Sequence, residues 1–308
     1  YSSSSNEPFM AIHAKSIEKK TDESYFASIV AKHCNLNLIQ LEPSIKQMTE
    51  LVDEVVYTQE EPFGGPSIFM QYLVMREAKK NNCLVLLDGQ GGDETLFGYE
   101  SYYSFYFASL LSKFKFLSFF SKMKSLKEFK LTKQKILRDS FITLFRNKLS
   151  FIESLIRKKR SFIKVKHCRK SLNHIYSFLS FKGFQKREIM LRNLPRLLRY
   201  EDKNSMRNSI ETRLPFIDYR FVQNALSLSD SMKFKSGFLK YVLRRAISNI
   251  LPSAIVWRTN KFGFEAPTDL LLKQNKNEMI VSIKGSNLLS KLIQLDNSHY
   301  ENNQTLWK

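Results

Sequence analysis

A chain of 308 residues, of which 43% are hydrophobic, can bury a sizeable core, and this content excludes a mostly disordered protein. Ten glycines and eight prolines exclude collagen-like and linker-dominated chains, and three cysteines without metal-ligand spacing predict neither a disulfide framework nor a zinc site. The formal charge of +20 suggests a polyanionic partner only if the basic residues are spread over the whole surface.

The first 111 residues alternate short β-like runs with helix-like runs. Predicted strands cover Met10–Lys15, Asn37–Leu41 and Cys83–Leu87, and predicted helices cover 21–33, 45–57 and 67–81. Strands separated by helices of this length predict a parallel sheet with crossover helices. The continuous apolar run of the third strand is typical of a strand that is buried on both faces.

The stretch 112–192 carries nearly all of the charge, because it holds 23 Lys and Arg against four Asp and Glu. Apolar residues recur there at three- and four-residue spacings, which predicts amphipathic helices. The spacing is visible at Phe116, Phe119, Phe120, Met123, Leu126, Phe129 and Leu131. We interpret the stretch as a helical insertion whose apolar stripe packs on the body and whose lysines face water. The alternatives are a helix on an anionic membrane surface and a nucleic-acid-binding face, and no motif supports either.

Residues 193–308 are predicted to be mainly helical and contain four prolines. No apolar run in the chain approaches the roughly 18 residues of a membrane-spanning helix, and the first residues lack the pattern of a signal peptide. We therefore expect a cytoplasmic protein. The chain divides into an α/β part (1–111), a basic helical insertion (112–192) and a helical C-terminal part (193–308).

A glycine-rich loop follows the third predicted strand and reads DGQGGDE over residues 88–94. Ligands of open α/β sheets bind beyond the carboxyl ends of the strands, so this loop is the expected site. Its three glycines let backbone amides approach a phosphate, and Asp93 and Glu94 are the hard oxygen ligands that Mg²⁺ prefers. From the loop alone, a solvated acidic turn stays open as the alternative. The loop is neither a P-loop nor a dinucleotide-binding fingerprint.

Four later segments carry further polar and charged residues. They read RYEDKNSM over 199–206, SIETRLPFID over 209–218, KYVLR over 240–244 and KFGFEAP over 261–267. Taken singly, Glu211, Arg213 and Asp218 are typical of a structural ion-pair set at helix ends. Lys240, taken singly, is typical of a solvated lysine on a helix.

Together these segments resemble the synthetase domain of the glutamine-hydrolysing asparagine synthetases. That family carries a strand and a loop like residues 88–99, then RYEDRNSM with SIEARVPFLD, then KYLLR and K-x-G-F-x-x-P, in this order. The DES at 22–24 and the EPFG at 61–64 also resemble the family. The resemblance covers the whole chain apart from the basic stretch.

The resemblance implies an α/β fold with a parallel sheet and flanking helices, of the adenine nucleotide α-hydrolase-like, ATP pyrophosphatase type, followed by a mainly helical C-terminal part. It implies that ATP and aspartate give β-aspartyl-AMP and pyrophosphate, and that ammonia then displaces AMP to give asparagine. Ammonia would come from a glutaminase domain that these 308 residues do not contain. Neither nucleic acid nor a membrane is expected as a partner, and a homodimer stays open.

Site roles follow from the same resemblance. Asp93 matches the carboxylate that binds Mg²⁺, and Lys240 matches a lysine near the phosphates and the acyl-adenylate. Glu211 matches an acidic residue that orients ammonia or takes its proton. Gln90 occupies the position of a glutamate tied to adenylate formation, although many relatives carry glutamine there. The expected ATP contacts are Ala14, Asp88, Gly89, Gly91 and Gly92.

The family's pyrophosphate loop, Ser-Gly-Gly-x-Asp-Ser, has no match in the chain and is expected to precede Met10. We therefore expect the first strand and this loop to be missing and the polypeptide to be inactive alone. Two other functions stay open. One is the same chemistry on another carboxylic acid, such as a sugar acid of a surface polysaccharide. The other is a basic module that binds nucleic acid or membrane.

Overall fold

The computed structural model describes residues 8–19, 21–126, 133–145, 181–259 and 266–292. These residues form a helix-rich α/β protein with two parallel sheets of two strands each. The strands are β1 Met10–Ala14, β2 Asn37–Leu41, β3 Val85–Leu87 and β4 Glu211–Arg213. The predicted mixture of helices with parallel strands is confirmed, but the described strands form two sheets and not one.

Helices make up most of the rest of the described chain. The first five are α1 Ser24–His33, α2 Ile45–Glu50, α3 Val52–Gln59, α4 Ser67–Lys80 and α5 Gly92–Leu96. They are followed by α6 Tyr102–Ser112, α7 Phe116–Ser125, α8 (residues 133–145), α9 Phe181–Met190 and α10 Asn193–Arg207. After a 3₁₀ turn at Pro215–Ile217 come α11 Tyr219–Ser227, α12 Asp230–Lys233, α13 Tyr241–Ile247, α14 Ser253–Val256, α15 Thr268–Gly285 and α16 Asn287–Leu292.

The first sheet joins β1 and β2 in parallel, with Met10 opposite Asn37 and Ala14 opposite Leu41. Helix α1 connects the two strands and contacts both, and α4 packs against β1. The hydrophobic core beside this sheet includes Met48, Val55, Phe69 and Tyr72, which are all buried. The arrangement is the crossover unit that the alternating pattern predicted.

The second sheet pairs β3 with β4, which the sequence did not predict. Two of the three residues of β4 are charged. They form a strand because Glu211 N donates to Leu84 O at 2.8 Å and Asp88 N donates to Arg213 O at 3.1 Å. Glu211 and Arg213 therefore lie in a strand and not at helix ends. Asp218 does cap a helix, since its carboxylate accepts from Arg220 N at 2.9 Å at the start of α11.

Strand β3 is more exposed than its apolar sequence predicts. Leu84 and Leu87 are 74% and 72% exposed, so the prediction of a strand buried on both faces is wrong. Within the described residues, β4 is the one strand paired with β3. An apolar strand with a single partner keeps one edge and much of its side-chain surface uncovered.

The described part of the basic stretch is helical, as predicted, and it packs on the body. An aromatic cluster around Phe97, Tyr103 and Phe234 also buries Phe119, Leu126, Ile136, Phe181 and Phe184. Phe119 is 3% exposed, whereas its neighbour Phe120 is 67% exposed and Phe116 also faces outward. One face of α7 is thus core and the other is surface. Phe129 and Leu131 lie outside the described residues.

Helix α10 connects the parts of the molecule, since it contacts α3, α4, α9 and β4. Its buried face is polar: Glu201, Asn204 and Ser205 are all at most 1% exposed. Asn204 is fixed from two sides, because it accepts from Gln59 Nε2 at 2.7 Å and donates to Gln71 Oε1 at 3.0 Å. These bonds hold α10 at a fixed rotation beside the end of β3.

Candidate active site

The loop after β3 turns sharply into α5 and depends on its glycines. Gly91 adopts a φ of +85°, in the left-handed region that favours glycine, and an added Cβ would overlap the side chain of Ile217. A Cβ on Gly92 would press against the ring of Phe216 at 3.3 Å. Gly92 N donates to Gly89 O at 3.2 Å and Thr95 N donates to Gly91 O at 3.0 Å, so the turn is closed by its own backbone.

Asp93 and Lys240, predicted from segments far apart in the chain, form an ion pair. Lys240 Nζ lies 2.8 Å from Asp93 Oδ1, and both side chains keep about a quarter of their surface exposed. Lys240 stands at the start of α13 with a left-handed φ of 51°. A Cβ on Gly98 would overlap both the Asp93 carboxylate and the Lys240 side chain. The absence of a side chain at Gly98 therefore makes room for the pair.

A buried network fixes α5 from behind. Gln185 Nε2 donates to Glu94 O at 2.9 Å and to Thr95 O at 2.6 Å, and its Oε1 accepts from Lys233 Nζ at 2.7 Å. Burial lowers the pKa of Lys233 to about 8. Glu94 Oε1 accepts from Asn193 Nδ2 at 2.6 Å, which anchors the carboxylate as well. Glu94 thus serves the loop's structure and does not point toward a ligand.

Four of the expected site residues line one cleft between β1 and β3. Its volume is about 670 Å³, and Ala14, Asp88, Gly89 and Gln90 stand together on its wall. Strand residues such as Ile12 and Leu86 also line it. The cleft thus runs along both strands, beside residues 9–14 and 85–87, and its end at Ala14, Asp88, Gly89 and Gln90 is at the carboxyl ends of the strands, where α/β proteins bind ligands.

A smaller cavity of about 170 Å³ adjoins Lys240 and includes Gly98, Arg244, Arg258 and Thr259 in its lining. Arg258 Nη2 donates to Glu23 Oε1 at 2.6 Å, which connects the DES segment to this cavity. Arg244 Nε donates to Leu239 O at 2.8 Å, and burial lowers its pKa. The segment KFGFEAP begins at Lys261, and its residues 261–265 lie outside the described residues.

Glu201 is the site residue that sequence reasoning missed. It is 1% exposed, and in the described structure neither of its carboxylate oxygens has a hydrogen-bond partner of good geometry. Burial, together with the Asp88 carboxylate beside it, raises the pKa of Glu201 to about 8, against a hydrogen bond from Gln90 that lowers it. The sequence signal was the polar spacing of residues 201, 204, 205 and 208 on one helix face, where a core face is normally apolar.

Glu211, expected to act on ammonia, lies away from this group. It pairs with Val85 at the amino end of the strands, three residues or about 10 Å before Asp88 along the sheet. Its side chain is 60% exposed and accepts from Arg213 Nε at 2.8 Å. The structure thus gathers Ala14, Asp88, Gly89 and Gln90 at one cleft and pairs Asp93 with Lys240, but it does not bring Glu211 to them.

The described residues contain no cluster of three or more His, Cys, Asp or Glu side chains that could hold a metal ion by themselves. Mg²⁺ carried by a nucleotide needs only one or two protein carboxylates, because phosphates and water complete its shell. Asp93, which keeps about a quarter of its side-chain surface exposed and is paired with Lys240, fits this requirement. Among the described residues, Asp93 therefore fits a metal that arrives with a polyphosphate and not one that the protein holds by its own side chains.

None of the helices in the described ranges is both long and apolar enough to cross a membrane.

Comparisons with known proteins agree with the motifs. The family model described as asparagine synthase matches residues 2–301. The chain therefore belongs to the asparagine synthase family, and the resemblance seen in the sequence is confirmed. It is 30% identical over 260 residues to asparagine synthetase (glutamine-hydrolysing) 1 of Bacillus subtilis, which covers 77% of this chain and 39% of that protein.

Two further relatives show how the similarity is distributed. A putative asparagine synthetase of Mycobacterium bovis is 27% identical over 251 residues, or 73% of this chain and 36% of its own length. The asparagine synthetase of Gallus gallus is 40% identical over 60 residues, or 18% of this chain and 11% of its own length. The chain spans roughly two fifths of the first of these curated relatives.

Proposed function

We propose that the protein binds MgATP beside β1 and β3, activates a carboxylic acid as its acyl-adenylate, and lets ammonia convert that intermediate to an amide. The observation that carries the proposal is that Ala14, at the end of β1, meets Asp88, Gly89 and Gln90 in one cleft, and that the loop of these last three residues also carries Asp93, which is paired with Lys240. Family membership supports the same chemistry. We further propose an ATP pyrophosphatase type of fold and the three-part division at residues 111 and 192.

In this proposal the nucleotide lies at the end of the cleft that Ala14, Asp88, Gly89 and Gln90 form. Ala14, small and buried at the end of β1, leaves room for the adenine ring. The backbone of Gly89 can come close to the phosphates because a Cβ there would meet nothing within 4 Å, whereas Gly91 and Gly92 pack against Ile217 and Phe216 and shape the turn that presents Gly89. Asp93 would bind Mg²⁺, which neutralises charge on the phosphates when it is bound.

Lys240 is proposed to stabilise the charge that develops on the phosphates. The acid's carboxylate attacks the α-phosphorus, a carboxyl oxygen–phosphorus bond forms, and pyrophosphate leaves with the electron pair of the broken bond. A fixed cation beside the leaving group lowers the barrier to this step. The pair with Asp93 holds the lysine in place before the nucleotide arrives.

We propose aspartate as the acid and glutamine as the source of ammonia, because the relatives' names describe glutamine-hydrolysing asparagine synthetases. The neutral side chain of Gln90 supports a second candidate function, which is the same amidation on another acid such as a sugar acid. A glutamine side chain can donate to a carboxylate and accept from an amine, so it selects for neither substrate by charge.

The test is to express the product of the whole reading frame that encodes this chain and to supply MgATP, ammonium and one acid at a time. We expect AMP and pyrophosphate with aspartate. AMP formation with a sugar acid alone would shift the proposal to the second candidate. Release of ADP with every acid, or no acid-dependent AMP at all, would refute adenylation.

A further inference from the structure

The carboxyl group of Glu201 lies next to the loop that forms the cleft and is not used by the chemistry described above. Two carboxyl groups, those of Glu201 and Asp88, meet there. Among the described residues the Gln90 side chain is the donor that interacts with the Glu201 carboxyl, although neither Glu201 oxygen has a hydrogen-bond partner of full geometry. Two carboxylates in contact without a cation are stable only when they share a proton. Gln90 lies beside the same pair.

We propose that Glu201 is a positioning residue, whose protonated carboxyl links Asp88 to Gln90 and thereby orients the Gln90 amide at the rim of the cleft. The Glu201 hydroxyl donates to the Asp88 carboxylate, and the other Glu201 oxygen accepts from the Gln90 amide nitrogen. The Gln90 carbonyl oxygen then faces the cleft, where it can accept a hydrogen bond from ammonia. The inference rests on the proposed function, since it concerns the same site.

The surroundings of Glu201 favour the protonated form. Asp88 is the charged group that acts on the carboxyl, and it opposes ionisation. Of the groups on the elements that pack against α10, Gln59 from α3 and Gln71 from α4 are neutral, Arg187 pairs with Glu188 on α9, and Arg213 pairs with Glu211 on β4. No described cation acts on the Glu201 carboxyl, and its ionisation would leave a buried charge beside Asp88.

A link of this kind makes the site sensitive to pH. When Glu201 loses its proton, the two carboxylates repel each other, the hydroxyl donor disappears, and the Gln90 amide is released from its fixed orientation. Amidation should then weaken at high pH. A glutamine at position 201 retains a donor and an acceptor in the same shape and cannot ionise, so it mimics the protonated state.

The experiment measures kcat/KM for amidation from pH 6.5 to 9.5 in the whole-reading-frame protein and in its Glu201→Gln and Glu201→Ala variants. Hydroxylamine serves as the nucleophile, because it is already unprotonated near neutral pH and its own titration does not enter the profile. Glu50→Gln, on the exposed end of α2, is the matched control. ATP–pyrophosphate exchange is followed in parallel, because it reports adenylation alone.

We expect the wild-type and Glu50→Gln profiles to fall about tenfold per pH unit above the Glu201 transition, and the Glu201→Gln profile to stay within about twofold of its neutral value. Glu201→Ala should lose at least about tenfold at every pH. Two results would overturn the inference: a Glu201→Gln profile that falls with the wild-type one, or a folded Glu201→Gln variant as inactive as Glu201→Ala. Absence of exchange in the wild type would instead refute the proposed function.

Discussion

Asp88 and Asp93, two of the three acidic residues of the loop after β3, lie in opposite environments. Asp93 is partly open to water and lies 2.8 Å from a lysine, so its negative charge is balanced. Asp88 lies beside the buried Glu201, and no cation joins that pair in the described structure. One loop thus supplies a carboxylate suited to a metal and one member of a carboxyl pair, completed by Glu201 of α10, that is suited to hold a proton. The difference shows that a motif's letters do not fix the protonation of its members.

The largest expected effect comes from removing the cation of the first pair. Lys240→Met should lower the rate of ATP–pyrophosphate exchange by about 100- to 1,000-fold, because a fixed charge beside the leaving group is lost. Lys46→Met, which removes an exposed lysine 3.9 Å from Glu50, is the matched control and should change the rate little. Equal exchange rates in both variants would show that Lys240 does not take part in adenylation.

Gly98→Ala should separate the same pair without removing either charge. The added Cβ overlaps the ends of two flexible side chains, so the fold can adjust, but Asp93 and Lys240 cannot stay in contact. We expect exchange to fall by about 10- to 100-fold while the free energy of unfolding changes by less than about 1 kcal/mol. Gly285→Ala, where a Cβ meets nothing within 4 Å, is the control. Unchanged exchange in Gly98→Ala would contradict the need for the pair.

The pair of Glu201 and Asp88 should affect how the free energy of unfolding depends on pH. The pKa of Glu201 is raised in the folded state, so between about pH 4.3 and its folded pKa the folded chain binds more protons than the unfolded chain, and wild-type stability falls as pH rises. Glu201→Gln lacks this loss. Urea unfolding should show the variant gaining on the wild type by up to about 1.4 kcal/mol per pH unit from pH 5 to 8. A pH-independent difference would mean that Glu201 ionises normally.

Lys233, which supports α5 through Gln185, gives the smallest expected effect, and its sign is opposite. The pKa of Lys233 is lowered by burial to about 8, so between pH 8 and 10 the unfolded chain binds more protons and wild-type stability rises with pH. Lys233→Met removes this rise. Near pH 7 the substitution removes the cost of burying the charged lysine but leaves Gln185 Oε1 without its donor, so the two effects partly cancel. If the free energies of unfolding of the wild type and of Lys233→Met change in parallel from pH 8 to 10, the lowered pKa of Lys233 is contradicted.

Much of the fold could be predicted because its signals are local. Strands β1, β2 and β3 and helices α1 and α4 followed from period and spacing over a few residues. Strand β4 could not be predicted, because its pairing with β3 joins residues more than 120 positions apart and its own sequence, ETR, has little strand character.

The candidate site divides in the same way. Asp93 and Lys240 could be selected because each stands in a recognisable motif, although their contact could not be seen. Glu201 also stands in a motif, RYEDKNSM, yet charged residues on helices are almost always exposed. Only the packing of α10 against β4 and α4 reveals that its charged and amide residues face inward.

The most direct test of the account follows one oxygen atom. An acid, aspartate first, is prepared with ¹⁸O in the carboxylate that reacts and is turned over by the whole-reading-frame protein with MgATP and ammonium, and the AMP is analysed by mass spectrometry. Attack of that carboxylate on the α-phosphorus leaves one ¹⁸O in AMP when ammonia displaces it, and this is the result we predict. Unlabelled AMP, or label found in inorganic phosphate, would contradict an acyl-adenylate formed at this site.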